Sequence, residues 1–515
     1  MLARDQQPAP GTYRLASGIR VVSREDSEVV ICRYPLRAIR LGPLATRLLR
    51  LCGEQRTCEE LAHALELPLK RVEALCEQLR WKDLLEAGPA LAPVTWPGIS
   101  IIIPTYNRAR QLERCLRSLH ALDYPARCLE IIVVDDASTD ETGALLLRLA
   151  VEFADQGSRL RVVRHTHQQG VANGRNSGAE AARYDLLAYI DSDCVASPGW
   201  LAQLVPAFQD AHVAAVGGMI RAYERQSMLG RYEDVCSSLF MGLRAQQVSA
   251  AGPLTYLPTA NLLLRREAWQ RLGGFAALTF GEDVDLCRRL LATGGHILYI
   301  PYGVVYHDYR TQLWPFLRIR ASYASAEAML LSRHPGERRV LLLPPERATF
   351  AGLTIGGLWS AIRARGKRRS GLLCLFMAGI LLITSTYRRA RQVRKQAIPI
   401  GPLTILQATL RAHLAYTYHL CRHLTRYYTL PLALAGVILP PLLLLVGILC
   451  GIVIGVDYAR LRPPMRLGEY ALCSLLDDCA YEVGVLLGCM RQRTWKPLLP
   501  VVRRKISTAK KAIIR

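Results

Sequence analysis

None of the fifteen cysteines forms a C-x-x-C pair, and the nearest neighbours, Cys52 with Cys58 and Cys473 with Cys479, stand six apart. That spacing excludes a zinc ribbon and a disulfide-stapled secreted scaffold. Neither G-x-G-x-x-G nor G-x-x-x-x-G-K-[ST] occurs, which removes the two commonest nucleotide fingerprints. No apolar stretch follows the basic residue of the opening MLARDQQPAPG, so no signal peptide is expected and the main body is expected in a reducing cytosol. Acid is scarce in one place above all. From residue 341 to the end there are 26 Lys+Arg against 6 Asp+Glu, so this third carries +20 of the formal net charge of +24.

A basic excess of that size suits nucleic acid or an anionic membrane surface. The same third also holds the longest apolar runs, which points to membrane and away from nucleic acid. Residues 427–456 and 370–387 contain no Lys, Arg, Asp or Glu, and the second run lies between Lys367-Arg368-Arg369 and Arg388-Arg389. A bilayer core needs about 20 apolar helical residues, so the first run is long enough and the second borderline. Pro440 and Pro441 fall in the middle of the first run and would kink or break a helix there. The expectation is membrane attachment, either as a span or as a re-entrant or interfacial helix pair, with a buried core hairpin as the bland alternative. The tail from Arg503 to Arg515 reads as a solvated or lipid-facing basic end.

Residues 12–86 read as a small α+β unit. Short alternating stretches (Tyr13 to Leu15, Ile19 to Val22, Val29 to Cys32, Leu36 to Leu41) precede helical patterns at Leu44 to Leu51, Cys58 to Leu65 and Leu69 to Leu79. Thr57 and Glu60 form a T-x-x-E capping box. This order suggests a winged-helix-like module, able to read DNA or a peptide or merely to pack. Its modest charge makes DNA the weakest of these. Pro89, Pro93 and Pro97 then mark a linker.

The chemistry is expected in residues 98–310. Ile99 to Ile103 is a buried β-branched strand ending in Pro104-Thr105-Tyr106-Asn107, and Leu112, Cys115, Leu116 and Leu119 follow at helical spacing. Leu129 to Val134 repeats the unit and ends in Asp135-Asp136, with Ser138 and Glu141 as a second expected capping box. Successive βα units imply a parallel sheet with helices on both faces and a ligand at the carboxyl ends of its strands. Leu186 to Ile190 ends in Asp191-Ser192-Asp193. In an extended chain those two carboxylates project to one side and can meet one hard divalent cation, although acids at strand ends are commonly just turn residues. Gly281-Glu282-Asp283 opens another helical pattern, either as dipole-complementing acids or as the source of a general base.

Taken in order, III-PTYN, VVDDAST, GVANGRNSGAEAA, YIDSD, PTANLLLRREAWQRLGGF and GEDVDL resemble the family 2 glycosyltransferases of GT-A fold over residues 99–310. The resemblance implies inverting transfer of a sugar from a nucleotide diphosphate donor, usually a UDP-sugar, with Mn²⁺ or Mg²⁺. It further implies a nucleoside pocket of Thr105, Tyr106, Asn107, Asp135 and Asp136, and donor contacts from Arg175, Asn176 and Asp191. Metal ligation by Asp191 and Asp193, with His307 of PYGVVYHDYR as an additional ligand, and base catalysis by Asp283, with Glu282 beside it, complete the set. The Q-x-x-R-W of processive synthases is absent, so a polymer-extruding channel is not expected.

WPFLRIRASYASAEAMLLSRHPG after this region and CRYPLRAIRLGPLATRLLRL before it resemble the mycofactocin-system glycosyltransferases, and the N-terminal unit is similar to PqqD-like peptide-recognition modules. The implied plan is a PqqD-like domain at 1–90, a Pro-rich linker at 91–98, a GT-A domain at 99–340 and a basic, apolar helical membrane-associated region at 341–515, at the cytoplasmic face of the membrane. The implied donor is UDP-glucose, and the implied acceptor a peptide-derived redox cofactor or its precursor. A lipid- or polysaccharide-directed transferase is the alternative within the fold, and an inactive membrane-associated peptide-binding scaffold the alternative of another class.

Overall fold

The computed structural model describes residues 8–504 apart from 10, 24–27, 34–35, 89–95, 156–159, 251, 364–367, 396–397 and 399. Pro89 and Pro93 of the expected linker, Tyr34-Pro35 of the CRYPLR string, Lys367 and the basic tail from Lys505 onward lie outside the described residues. The chain divides into two compact units. One joins residues 1–12 to 87–313 and the other joins 13–86 to 314–515.

In the first unit an eight-stranded sheet runs, edge to edge, Gln246–Gln247, His296–Tyr299, Val213–Gly217, Leu262–Arg265, Leu186–Tyr189, Ile99–Thr105, Leu129–Asp135, Leu160–Arg164. The last four are parallel, as the successive βα units predict. Beyond them the parallel sheet expected from the sequence is a mixed one. Leu262–Arg265 runs antiparallel to both neighbours, and Gln246–Gln247 is antiparallel as well. The reason lies in the connection. Gly217, which ends its strand, pairs with Leu262, which begins the neighbouring strand, so residues 218–261 bring the chain back at the same end of the strands. A parallel return would need a crossover to the opposite end. At that re-entry the buried Asn261 amide donates to the carbonyls of Met219 and Gly303 and accepts from Trp200 Nε1.

Helix Val171–Ala181 lies close against the parallel strands because glycines face them. A Cβ on Gly178 would stand 2.4 Å from Ile102 Cγ2 and 3.2 Å from Val134 Cγ2, both in the sheet. Alanine would gain about 1 kcal/mol of helix propensity, but overpacking against branched sheet residues costs about 1–3 kcal/mol. Gly178→Ala is therefore expected to lower the thermal unfolding midpoint, which calorimetry would read directly. A smaller sheet, Cys194–Ala196, Val305–His307 and Ile220–Ala222, sets His307 opposite Cys194.

In the second unit, the expected N-terminal elements are present at Thr12–Leu15, Ile19–Ser23, Glu28–Arg33 and Leu36–Arg40, then at helices Pro43–Leu51, Cys58–Leu65 and Leu69–Trp81. The Thr57–Glu60 capping box forms in both directions, at 3.2 and 2.9 Å. Val30, Leu48, Leu49, Leu61, Val72 and Cys76 share one core.

The C-terminal part is helical. Arg369–Lys395 and Pro441–Leu461 are long and apolar enough to cross a membrane by length and composition. The 30-residue apolar run is divided at Pro440-Pro441 between helices Pro402–Ile438 and Pro441–Leu461, as the prolines require. Pro431 lies inside the first of these, and Glu482 accepts from the backbone N–H groups of Thr429 and Leu430 beside it. Glu327 accepts from the hydroxyls of Tyr427 and Tyr481, and Asp478 from Arg422 and Arg426. Hydropathy gives no sign of this buried polar network, because its acids and bases come from helices far apart in sequence.

Candidate active site

Three strands end side by side at Thr105, Asp135 and Tyr189, and the loops beyond them carry most of the expected residues. Asp136 is fully engaged. Its carboxylate meets His165 Nδ1 at 2.7 Å and accepts from the N–H groups of Gln169 and Gly170 at 2.8 Å. Burial pushes the acid upward, but those two N–H donors and His165 outweigh it and hold it below the usual carboxylate range. His165 Nε2 in turn meets Ser177 Oγ at 2.9 Å, which ties this loop to the GRNSG helix.

Asp135 accepts from the Ser138 N–H at 2.9 Å. The Ser138 hydroxyl accepts from the Asn107 N–H, and the following helix starts at Thr142, whose N–H is met by Asp140. The second capping box expected at Ser138 and Glu141 is therefore not the one used. Asn107 and Ala137 both take left-handed backbone conformations, with φ of +51° and +64°. Asparagine tolerates this region, whereas alanine there stores strain of the kind that collects at functional loops. Thr105 Oγ1 is buried without a hydrogen-bond partner, and Tyr106 is exposed beside it.

Arg175 is the centre of the site. Its side chain is buried, with Nη1 2.6 Å from Glu282 Oε1 and Nη2 2.8 Å from Asp191 Oδ1. One guanidinium thus joins GRNSG, DSD and GED, three motifs distant in sequence. Burial disfavours its charge, but the two carboxylates keep it protonated. Asn176 is turned elsewhere. Its amide oxygen accepts from the Phe275 N–H and Trp269 Nε1, and its Nδ2 donates to the Phe275 carbonyl. It anchors the LGGF loop, where Gly274 has a φ of +81° and a Cβ would fall 2.6 Å from Asn176 Oδ1.

Glu282 and Asp283 open helix Glu282–Ala292. Among the described residues, Asp283 accepts only from the Val284 N–H next to it, at 2.7 Å. Burial and then the neighbouring Glu282 carboxylate push its acid up to about 7, against the pull of Arg175. A carboxylate poised near neutrality in this position can accept a proton from an acceptor hydroxyl.

Asp193 is buried, with Arg108, His307 and Arg310 around it. Arg108 Nη1 meets its Oδ2, His307 Nε2 stands 3.5 Å from Oδ1, and Arg310 Nη2 stands 3.8 Å from Oδ2. Burial raises this acid, but His307, Arg108 and Arg310 prevail and hold it low. Donor atoms of Asp193, Cys194 and His307 lie within 4.8 Å of one another, the one such cluster among the described residues. Asp193 Oδ1 and His307 Nδ1 are both buried without a hydrogen-bond partner, so this pair fits a divalent cation. Burial, then Asp193, raises the Cys194 thiol well above the ordinary value.

The structure thus gathers Asp191, Glu282 and Asp283 around Arg175, puts Asp193 with His307, and brings Thr105, Asn107, Asp135 and Asp136 to adjacent strand ends. Arg108, His165, Asp308 and Arg310 belong to the same region and escaped the sequence reading. Arg114 pairs with Asp308, whose N–H donates to the Asp193 carbonyl. Arg108 follows the TYN string directly and Asp308-Tyr309-Arg310 follows His307, so adjacency to a motif was the available signal.

The model of the Glycosyl transferase family 2 matches residues 100–273. The pre-mycofactocin glycosyltransferase of Mycobacterium tuberculosis is 30% identical over 507 residues, 96% of this chain and 98% of that one. Glycosyltransferase AglE of Haloferax volcanii is 29% identical over 202 residues, 39% of this chain and 63% of that one. Among solved structures, the mannosyltransferase PcManGT from Pyrobaculum calidifontis, in complex with GDP-Man and Mn²⁺, covers 64% of this chain and 88% of its own at 20% identity, with a TM-score of 0.40. The order of the motifs, the carboxylates gathered at the strand ends and the full-length relative agree: the chain belongs to glycosyltransferase family 2 and is a nucleotide-sugar-dependent glycosyltransferase.

Proposed function

We propose that the chain moves a hexose, glucose by preference, from a UDP-sugar to a hydroxyl of a peptide-derived redox cofactor of the mycofactocin type, or of its precursor, with inversion. The acceptor rests on one observation, the reach of the Mycobacterium tuberculosis match. It runs over 507 residues, far past both ends of the family region at 100–273. Likeness confined to the catalytic core would support the reaction and leave the acceptor open.

In this reading Thr105, Tyr106, Asn107, Asp135 and Asp136 form the nucleoside pocket. Tyr106 is free to stack, and Asp136 acts by holding the loop through His165, Gln169 and Gly170. Arg175 orients Asp191 and Glu282, and Asn176 positions the LGGF loop. Asp191, Asp193 and His307 would hold Mn²⁺ or Mg²⁺, which when bound neutralises the diphosphate leaving group. Asp283 takes the acceptor proton, and a single in-line displacement inverts the anomeric centre. The N-terminal unit, a PqqD-like winged-helix module in this reading, presents the precursor peptide by strand addition at an edge such as Ile19–Ser23 or Leu36–Arg40. The catalytic region works at the cytoplasmic face of the membrane, with the two apolar helices as the attachment.

The test is nucleotide diphosphate release from UDP- and GDP-sugars, with Mn²⁺, Mg²⁺ or chelator, with and without a peptide-derived acceptor. The expected result is metal-dependent release from UDP-glucose that requires the acceptor. The apolar helices favour a second reading, a lipid-linked or polysaccharide acceptor. Release that ignores the peptide acceptor and rises with lipid would establish that reading, and no release under any condition would leave an inactive scaffold.

A further inference from the structure

Between Glu346 and Asp457 the chain has fourteen Lys+Arg and no Asp or Glu. Helix Arg368–Lys395 lies in this stretch. Its most apolar window has a mean hydropathy of 1.8 and is only 17% buried. Leu372, Phe376, Ile380, Ile383 and Tyr387 are all exposed, and their spacing of three or four residues lines them along one face. A contiguous exposed apolar stripe of this length calls for a partner.

The stripe ends in cations. Between the last turns of this helix and the start of helix Pro402–Ile438 lies a groove of about 850 Å³, lined by the apolar Ile383, Tyr387, Leu403 and Leu406 and, toward the end of the first helix, by Arg391, Arg394 and Lys395. Arg388 nearby reaches Glu346 at 4.0 Å, but Arg391, Arg394 and Lys395 have no carboxylate partner among the described residues. Three unpaired cations beside an apolar wall suit a ligand that is anionic at one end and hydrocarbon at the other. Free phosphate would leave the wall wet, and a neutral lipid would leave the cations uncompensated.

We propose that this groove binds an anionic phospholipid of a bilayer surface, its phosphate on Arg391, Arg394 and Lys395 and its chains along Ile383, Leu403 and Leu406. The proposal deepens the membrane placement offered above and rests on it. The exposed stripe enters the apolar layer, and the cations register the chain at the headgroups.

The test uses the full chain in neutral detergent micelles, titrated with fluorescent phosphatidylglycerol or phosphatidylcholine. Wild type is expected to prefer phosphatidylglycerol, with inorganic phosphate competing poorly. Arg391→Gln, Arg394→Gln and Lys395→Gln together should raise the half-saturating phosphatidylglycerol concentration about 100-fold. Arg391→Lys with Arg394→Lys keeps the charge and should hold the preference. Arg20→Gln, Lys70→Gln and Arg71→Gln remove the same charge from the exposed surface of the N-terminal unit and should change nothing. Equal binding of the two lipids, or equal loss in the surface control, would overturn the groove. Membrane fractionation of wild type reports the placement separately. A chain found wholly in the soluble fraction defeats the placement while leaving the lipid preference in micelles to be read on its own.

Discussion

Asp283→Asn is expected to lower kcat about 10³-fold while making the protein more stable at pH 8. The first effect follows from removal of the proposed base, and the second from linkage. The Asp283 acid is raised to about 7 in the folded state, from an ordinary value of 3.8. The folded chain therefore holds a proton there that the unfolded chain has released, and stability falls as pH rises between those two values. Asparagine abolishes that cost, so the inactive variant should unfold at a higher temperature than wild type above pH 7 and show little difference near pH 4. In wild type, kcat/KM should fall as pH drops through about 7. Glu282→Gln removes the neighbouring charge that helps to raise Asp283, and should move that limb about one unit toward acid. A limb that did not respond to Glu282→Gln would show that Asp283 is not the group titrating.

The largest loss of stability is expected from Arg175→Met. Methionine fills much of the space, but it leaves the Asp191 and Glu282 carboxylates facing each other without the buried cation that joins them. Removing one partner of a buried ionic cluster costs about 3–5 kcal/mol. Asp283, whose acid Arg175 pulls downward, would then hold its proton more tightly in the folded state. The deficit should accordingly be smallest near pH 4 and grow toward neutrality, the sign that follows when the folded form binds more protons. Chemical denaturation of wild type and variant at pH 5 and pH 8 measures this, and turnover should be lost with the alignment of Asp191 and Glu282. A uniform deficit at both pH values would mean that the guanidinium acts by packing against Phe275, whose ring centroid lies 5.7 Å from it, rather than by charge.

Local rules carried the sequence reading a long way in particular places. The β-branched run from Ile99 predicts a strand, and Ile99–Thr105 is one. Thr57 and Glu60 predict a capping box, and both of its hydrogen bonds form. Pro440 and Pro441 predict a break, and the chain breaks there. These features are decided within a few residues by sterics, hydrogen-bond supply and hydrophobic period.

The expectations that failed depended on where the chain goes next. The Leu262–Arg265 strand has the pattern of any buried strand, and its antiparallel direction is set by the path of residues 218–261. Ser138 has the right spacing for a helix cap, but its hydroxyl is taken by Asn107 from a neighbouring loop. Nor does local spacing show that the Asn176 side chain, in the GRNSG string, accepts from the Phe275 N–H about a hundred residues away.

By itself, then, the sequence determined the family, the kinds of side chain available and the order of strand, loop and helix that delivers carboxylates to strand ends. Only the tertiary structure decided that a single buried guanidinium, Arg175, joins Asp191 to Glu282 beside a carboxylate held near neutrality. Charge pairing and desolvation act through space at distances of a few ångströms, and no pattern along one chain states which distant residues will meet at that range.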